Sequence, residues 1–495
     1  SGSAGFRIFG AAAGDNCGYS IASAGDVNHD GIDDLIVGCL FGEPLSRSKA
    51  GIVYVIFGHS TSTAFTDLDL ASFTSGVKGF KILGAAAYDS LGRAVSGAGD
   101  FNGDGIDDVI VGAYLASPLS REKAGAAYIV YGHTTAIAFT DIDLNTLASA
   151  ATAQGMRIAG AAALDWCGYS VSGAGDVNND GIDDVMVGCF GSDPLSRNNA
   201  GAVYIIYGRS TDLTNIDLAS FASSGYGGRV LQGAVSADQF GISVSAAGDV
   251  NGDDIADVIV GAQLGDPPGR RDAGITYVVF GATDSSSTVV TTDMANFVSG
   301  STGFKILGAA TEDISGYFVS RAGDVNADGF DDVIVGAYGA DPNSRNSAGA
   351  AYNIYGHSYS VGGGGDFNGD GVSDVDGFMV IGGAAHDDVG FAVSSVGDIN
   401  QDGYDDVVVS SYSVGKVYVI YGGKTSTAAD IDLAQDLPLQ KGFTISGASA
   451  GSMLGFSVSG AGDFNDDGHP DLLIGAPTAA VFDLSYAGIS FIVFG

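Results

Sequence analysis

One acidic pattern of nine residues recurs along this chain of 495 residues, and its spacing constrains what the chain can fold into. It reads DVNHDGIDD at 26–34, DFNGDGIDD at 100–108, DVNNDGIDD at 176–184 and DVNGDDIAD at 249–257. It continues as DVNADGFDD at 324–332, DINQDGYDD at 398–406 and DFNDDGHPD at 463–471. Successive copies start 74, 76, 73, 75, 74 and 65 residues apart. A fixed period of that size marks a repeat architecture, in which each unit buries its apolar faces only against its neighbours.

The pattern has the chemistry of a cage for a hard cation. In the first copy, oxygen-bearing side chains fall at positions 1, 3, 5 and 9: Asp26, Asn28, Asp30 and Asp34. Position 7, Ile32, offers its backbone carbonyl, and Gly31 at position 6 permits the positive φ of a tight loop. The same set recurs as Asp100, Asn102, Asp104, Ile106 and Asp108, then as Asp176, Asn178, Asp180, Ile182 and Asp184. The fourth and fifth sets are Asp249, Asn251, Asp253, Ile255, Asp257 and Asp324, Asn326, Asp328, Phe330, Asp332. The last two are Asp398, Asn400, Asp402, Tyr404, Asp406 and Asp463, Asn465, Asp467, His469, Asp471. About six to eight oxygens with several carboxylates suit Ca²⁺ better than magnesium or zinc. The loop is not an EF-hand, which needs a Glu at position 12 and flanking helices. The flanks YSIASAG and LIVG read as strands, so the expectation is a calcium loop at the tip of a β-hairpin. A metal-free Asp/Asn/Gly turn is the alternative for one copy; seven copies at constant spacing weigh against it.

The charge balance agrees. Asp+Glu number 58 against 20 Lys+Arg, for a net charge of −38. Seven Ca²⁺ would lower that to about −24; without them, crowded carboxylates work against a compact state. So acidic a chain is not expected to bind nucleic acid or an anionic membrane. It is not a disordered acidic chain either, because hydrophobic residues make up 45% of it.

Within one repeat, 17–26, 34–39, 51–58 and 79–86 read as four short strands, the third rich in β-branched and aromatic residues. A connection with DLASF at 69–73, DLNTL at 143–147, DLASF at 217–221 and DMANF at 293–297 predicts an Asp-capped helical turn. Four antiparallel strands and no long helix describe a propeller blade. The chain finishes on a third strand, 488–495, and begins with an unmatched fourth strand, 5–12. Setting that strand on the edge of the last unit completes an all-β, seven-bladed propeller and removes an exposed edge. The blades fall at about 17–88, 91–163, 167–236, 240–311, 315–385, 389–450 and 454–495 plus 5–13.

On these residues the chain resembles the FG-GAP repeats that build the N-terminal β-propeller of integrin α subunits. Phe-Gly survives at 240–241 and reversed at 390–391 and 455–456; Gly-Ala-Pro survives at 475–477. The resemblance covers essentially the whole chain and implies the propeller fold and calcium. With a cage in every blade the chain looks more similar to microbial proteins with these repeats than to animal integrins. No thigh or calf domain, transmembrane stretch or inserted metal-dependent adhesion domain is expected within it. No signal peptide is visible, and the absence of an initial Met fits a mature or trimmed form.

Several irregularities add expectations. An eighth stretch, DFNGDGVSD, replaces the usual connection in blade 5 and offers Asp366, Asn368, Asp370, Val372 and Asp374 as a further candidate site. Asp254 stands where the other cages have Gly, which predicts the weakest of the seven. Cys17 and Cys39, and Cys167 and Cys189, occupy equivalent positions of repeats 1 and 3, each pair 22 residues apart. Disulfides Cys17–Cys39 and Cys167–Cys189 are expected, with buried thiols as the alternative. A second repeated element, PLSRSKAG at 44–51 and its relatives, predicts that Arg47, Arg121, Arg197 and Arg345 pair with acidic neighbours, in preference to forming a basic ring for an anionic ligand. Tyr19, Tyr169, Tyr317, Phe391 and Phe456, with Arg93 and Ile242, form a stripe at equivalent positions, read first as core packing.

Catalysis finds little support. There is no HExxH, GxSxG or P-loop, the six His are scattered, and the clustered carboxylates belong to the cages. The expected function is an extracellular, secreted or cell-surface calcium-binding propeller serving in adhesion or assembly, with an extracellular protein or glycan as partner and self-assembly open. A lectin or accessory domain of a secreted enzyme, and a structural subunit of a surface layer or filament, are the alternatives. Disulfides and weak calcium cages both fit an oxidising, calcium-rich exterior.

Overall fold

A computed structural model of the chain describes residues 4–147, 151–284, 288–358, 367–368, 377–424, 429–447 and 451–495. Among them run seven small sheets, one per repeat. In blade 1 the strands are Cys17–Gly25, Asp34–Cys39, Ile52–Ile56 and Gly79–Leu83, paired antiparallel in that order. Every residue of Asp34–Cys39 is buried, because both faces of the sheet are covered by the neighbouring blades. The core therefore lies between sheets: Ile36, Val53, Val55 and Phe80 of blade 1 pack with Val95, Val109 and Val111 of blade 2. The fourth strand stops short of the expected 86. Gly84 sits so close to the Ala50 carbonyl that a Cβ would meet it at 2.1 Å, and the chain turns there towards the next blade.

The ring closes as the chain ends predict. Gly5–Phe9 pairs antiparallel with Ile489–Val493, with Phe6 opposite Ile492, and forms the fourth strand of blade 7.

One feature departs from the expected four-stranded blade. Six sheets carry a fifth strand, contributed by the following blade and paired in parallel. Leu68–Asp69 lies beside Ile8 and Phe9, and Ile142–Asp143 beside Ile82 and Leu83. Each connection climbs the outer edge of the preceding blade, so its backbone groups and that edge satisfy each other. Blade 6 keeps four strands, because blade 7 takes its outer strand from the other end of the chain and has no such connection.

The expected cap follows at the top of the climb. Asp69 accepts the N–H of Ala71 at 2.9 Å, and Asp217 that of Ala219 at 3.0 Å. Four arginine loops lock onto the aspartate at this position in the next blade. Arg47 Nη1 and Nη2 donate to the two oxygens of Asp143 at 2.6 and 2.7 Å and to the Gly84 carbonyl at 2.8 Å. Arg121 holds Asp217, Arg197 holds Asp293 and Arg345 holds Asp432 in the same way. In blade 4, Arg270 donates to the carbonyls of Gly308 and Ala309. The arginines are thus clamps between consecutive blades, not a free basic ring. Both disulfides form, Cys17–Cys39 and Cys167–Cys189, with Cα atoms 3.9 and 4.0 Å apart.

Candidate metal centres

Each acidic loop joins the end of a blade's first strand to the start of its second, so all seven lie on one face of the ring. Within the first loop, Asp26 accepts the N–H groups of Asp30 and Gly31 through separate oxygens, at 2.9 and 2.8 Å. Asp30 Oδ1 accepts the N–H of Ile32 at 3.1 Å. Asp34 is fully buried and bonds Val27 and Gly58, which ties the loop to the third strand. The same bonds recur around Asp463 and Asp471, and around Asp100 and Asp108, except that Asp108 takes the N–H of Asn102 where Asp34 takes that of Val27.

The ninth-position aspartates carry the electrostatic strain of the loop. Burial, aided by the like charges of Asp30 and Asp26 and opposed by the Gly58 N–H, pushes the Asp34 carboxyl up to about 8. Burial raises Asp184 and Asp257 to about 8, and Asp406 and Asp471 to about 7. Asp108 and Asp332 are driven well up for the same reason. A buried carboxyl beside two others keeps either a proton or a cation.

All seven of these loops lie within stretches that match one family model, the FG-GAP repeat, at residues 18–56, 91–130, 168–206, 240–279, 315–354, 389–420 and 454–493. The matches cover more than half of the chain. The chain belongs to the FG-GAP repeat family. It is similar to bovine (Bos taurus) integrin alpha-2, 34% identical over 176 residues, which is 35% of this chain and 13% of that protein. Bovine phosphatidylinositol-glycan-specific phospholipase D is 40% identical over 119 residues, 22% of this chain and 13% of that protein. Integrin alpha pat-2 of Caenorhabditis elegans is 41% identical over 96 residues, 18% of this chain and 7% of that protein. The chain thus spans a small part of each of these relatives.

The donor set of these FG-GAP loops fits a hard cation. Asn28 Oδ1, Asn400 Oδ1 and Asn465 Oδ1, at position 3, are buried with no hydrogen-bond partner. An orphaned buried oxygen is costly unless something outside the protein meets it. Among the described residues, no turn or loop N–H donates to the position-7 carbonyls of Ile32, Ile106, Ile182, Ile255, Phe330, Tyr404 or His469. Each carboxylate oxygen that takes a backbone N–H keeps a second lone pair. Among the described residues, no three His, Cys, Asp or Glu side chains converge by themselves as a cluster. Asp254 adopts φ +63, the left-handed backbone its glycine counterparts adopt, and its N–H bonds Asp249 at 2.7 Å.

The eighth stretch falls outside the described residues except for Phe367–Asn368. Their backbone pairs with Ile306 and Leu307, so they take the place of the usual fifth strand. Asp366, Asp370, Val372, Asp374 and the Asn368 side chain are not described.

Position 8 has a role that the ligand pattern did not reveal. Asp107 Oδ2 accepts the N–H of Asp26, in the preceding blade's loop, at 2.8 Å. Asp183, Asp331 and Asp405 do the same for Asp100, Asp249 and Asp324. The repeated Asp-Asp doublet was the available signal, since only its second member stands at a candidate ligand position. The aromatic stripe lines the ring axis at the other end of the first strands. Phe391 is buried, as core packing requires, whereas Tyr19, Tyr169, Tyr317 and Phe456 are half-buried.

Proposed function

We propose that this chain is a calcium-braced propeller that works outside the cell as an interaction module, in adhesion or assembly. The observation that carries the reading is the sevenfold recurrence of a buried carboxyl, an adjacent Asn and an open carbonyl in one loop. Asp26, Asn28, Asp30, Asp34 and the Ile32 carbonyl would hold the ion in blade 1, and their equivalents would do so elsewhere. In that cage Asp26, Asp30 and Asp34 would hold the ion by charge, and calcium would supply the positive charge that the Asp34 proton otherwise provides. The residues themselves tie each loop to its own third strand and, through position 8, five of the seven loops to the next blade, so the braced loops present a rigid face. The integrin relatives favour an adhesive role, and two disulfides favour an oxidising exterior.

The phospholipase D match favours a second reading, in which the propeller is the non-catalytic companion of a larger secreted enzyme. On either reading no residue here is given a catalytic role.

The test is capture of partners from the native extracellular material, with calcium and with a chelator, alongside a count of bound calcium by titration calorimetry. Several bound ions and a partner retained only with calcium support the proposal. Self-association alone, with calcium serving only folding, points to a structural building block of a layer or filament. A chain that binds no calcium sinks the brace.

A further inference from the structure

The seven first strands line an axial cavity of about 200 Å³. In blades 1 to 5 the residue that follows the opening glycine lines this cavity: Tyr19, Arg93, Tyr169, Ile242 and Tyr317. Across the seven blades six of these positions are aromatic or aliphatic, and blade 2 alone places an arginine there, Arg93. Its guanidinium carbon lies 3.9 Å from the ring centre of Tyr169 and 5.3 Å from that of Tyr19. The polar groups that act on it are the hydroxyls of Tyr169, Tyr19 and Tyr317. Among the described residues no carboxylate pairs with it, in a chain where acids outnumber bases 58 to 20. Arg7, Arg47, Arg121, Arg197 and Arg345 each hold an aspartate.

Stacking covers a face of the guanidinium and the Tyr169 hydroxyl meets part of its N–H edge; the rest of a guanidinium fork matches a carboxylate. A ring-stacked cation is only partly compensated. The side chains of Ser245 and Ser320 reach the same cavity from blades 4 and 5 and offer hydroxyls. The cavity is several times the roughly 30 Å³ that one water occupies, so it has room for more than a single small ion. Apolar ring faces, a cation and hydroxyls together match a pyranose ring that carries an acid group.

We propose that the mouth of the axial cavity binds one acidic sugar unit, a uronic acid, with its carboxylate on Arg93 and its ring against Tyr19 and Tyr169. A single axial site needs no aromatic repeated in every blade. The first strands run from this mouth to the acidic loops, so the site stands apart from the calcium reading and either can fail alone.

The test is titration calorimetry of the full chain, in calcium at low salt, with D-glucuronate, D-glucose and acetate. Glucuronate is expected to bind about tenfold more tightly than either control, the effect of one charge-assisted pair acting with the ring contacts. Arg93→Met removes that advantage. Arg93→Lys, which keeps the charge and most of the volume but loses the fork, weakens glucuronate several-fold and serves if the Met variant does not fold. Glucuronate binding unchanged in a folded Arg93→Lys protein, acetate binding as tightly as glucuronate, or no saturable binding at tens of millimolar would each overturn the proposal.

Discussion

The Oδ2 of Asp33 accepts the backbone N–H of Asp463 at 2.9 Å and so joins the first blade's loop to the last blade's. The bond requires Gly462: a Cβ there would lie 2.1 Å from the same Asp33 oxygen. Equivalent bonds join other neighbouring loops, but Ala256 and Pro470 stand at this position in blades 4 and 7 and leave the N–H groups of Asp176 and Asp398 without one.

Removing the acceptor should loosen the seam at which the ring closes. Asp33→Ala leaves a donor unmet and is expected to cost about 1–2 kcal/mol of stability. Denaturant unfolding should show this while calcium stoichiometry stays unchanged, because the Asp33 carboxylate is engaged by the Asp463 N–H and lies outside the proposed ligand set. A lost calcium ion in the variant would show that the carboxylate belongs to the cage instead.

Asp254 bears the backbone strain that glycine relieves in the other six loops. Asp254→Gly is expected to stabilise the chain by about 1 kcal/mol, since a left-handed residue with a Cβ costs that much. Calcium affinity in the fourth loop should rise with it. An unfolding midpoint that stays put or falls would mean that the Asp254 side chain contributes something the loop geometry does not reveal.

Acid should act in opposite directions with and without calcium. A carboxyl whose folded value is raised favours folding when protonated; that contribution is complete below the ordinary carboxylate range and gone once pH passes the folded value. For Asp34, Asp184 and Asp257 that value is about 8. Calcium-free protein should therefore lose stability as pH rises from about 5 to about 8. Calcium competes with the same protons, so the gain in melting temperature on adding it should widen over that window. A gain independent of pH would remove the ninth-position aspartates from the calcium sites.

A third disulfide should form where the repeat already has room for one. Ser315 and Ala337 are buried at the positions of Cys167 and Cys189, and the Ser315 hydroxyl has no partner. Gly316 donates to the Gly336 carbonyl at 2.9 Å, as Gly168 does to Gly188 at 3.0 Å. The double variant Ser315→Cys, Ala337→Cys should oxidise spontaneously, be found by non-reducing peptide mapping, and gain up to about 3 kcal/mol from a loop of this length. Two free thiols after exposure to air would show that blade 5 does not share the geometry of blade 3.

Much of this was legible in the sequence because each unit repeats. Seven cages fixed the blade count, the unmatched strand at 5–12 predicted its partner at 488–495, and paired equivalence of the cysteines predicted both bridges. The pairing of Arg47 with an acid could be expected, but not that the acid would be Asp143 in the next blade. What stayed hidden spans two blades. Two-residue strands such as Leu68–Asp69 have no periodicity to read. Asp33 looks like a spare carboxylate until its neighbour's backbone is in place. Arg93 looked like one exception in a stripe, and only the ring geometry brings it against Tyr169.

The pairing of Phe6 with Ile492 also sets a schedule for biosynthesis. At roughly 5–20 residues per second, the strand made first waits on the order of a minute before its partner is translated. Until then Gly5–Phe9 cannot be in place, and the seventh blade has no outer strand. Contacts this distant in sequence make closure a slow, late event. The nascent propeller is therefore most exposed to mispairing with other chains just before Ile489–Val493 is made, and calcium or a chaperone that holds the first six blades in register would act on yield more than on final stability.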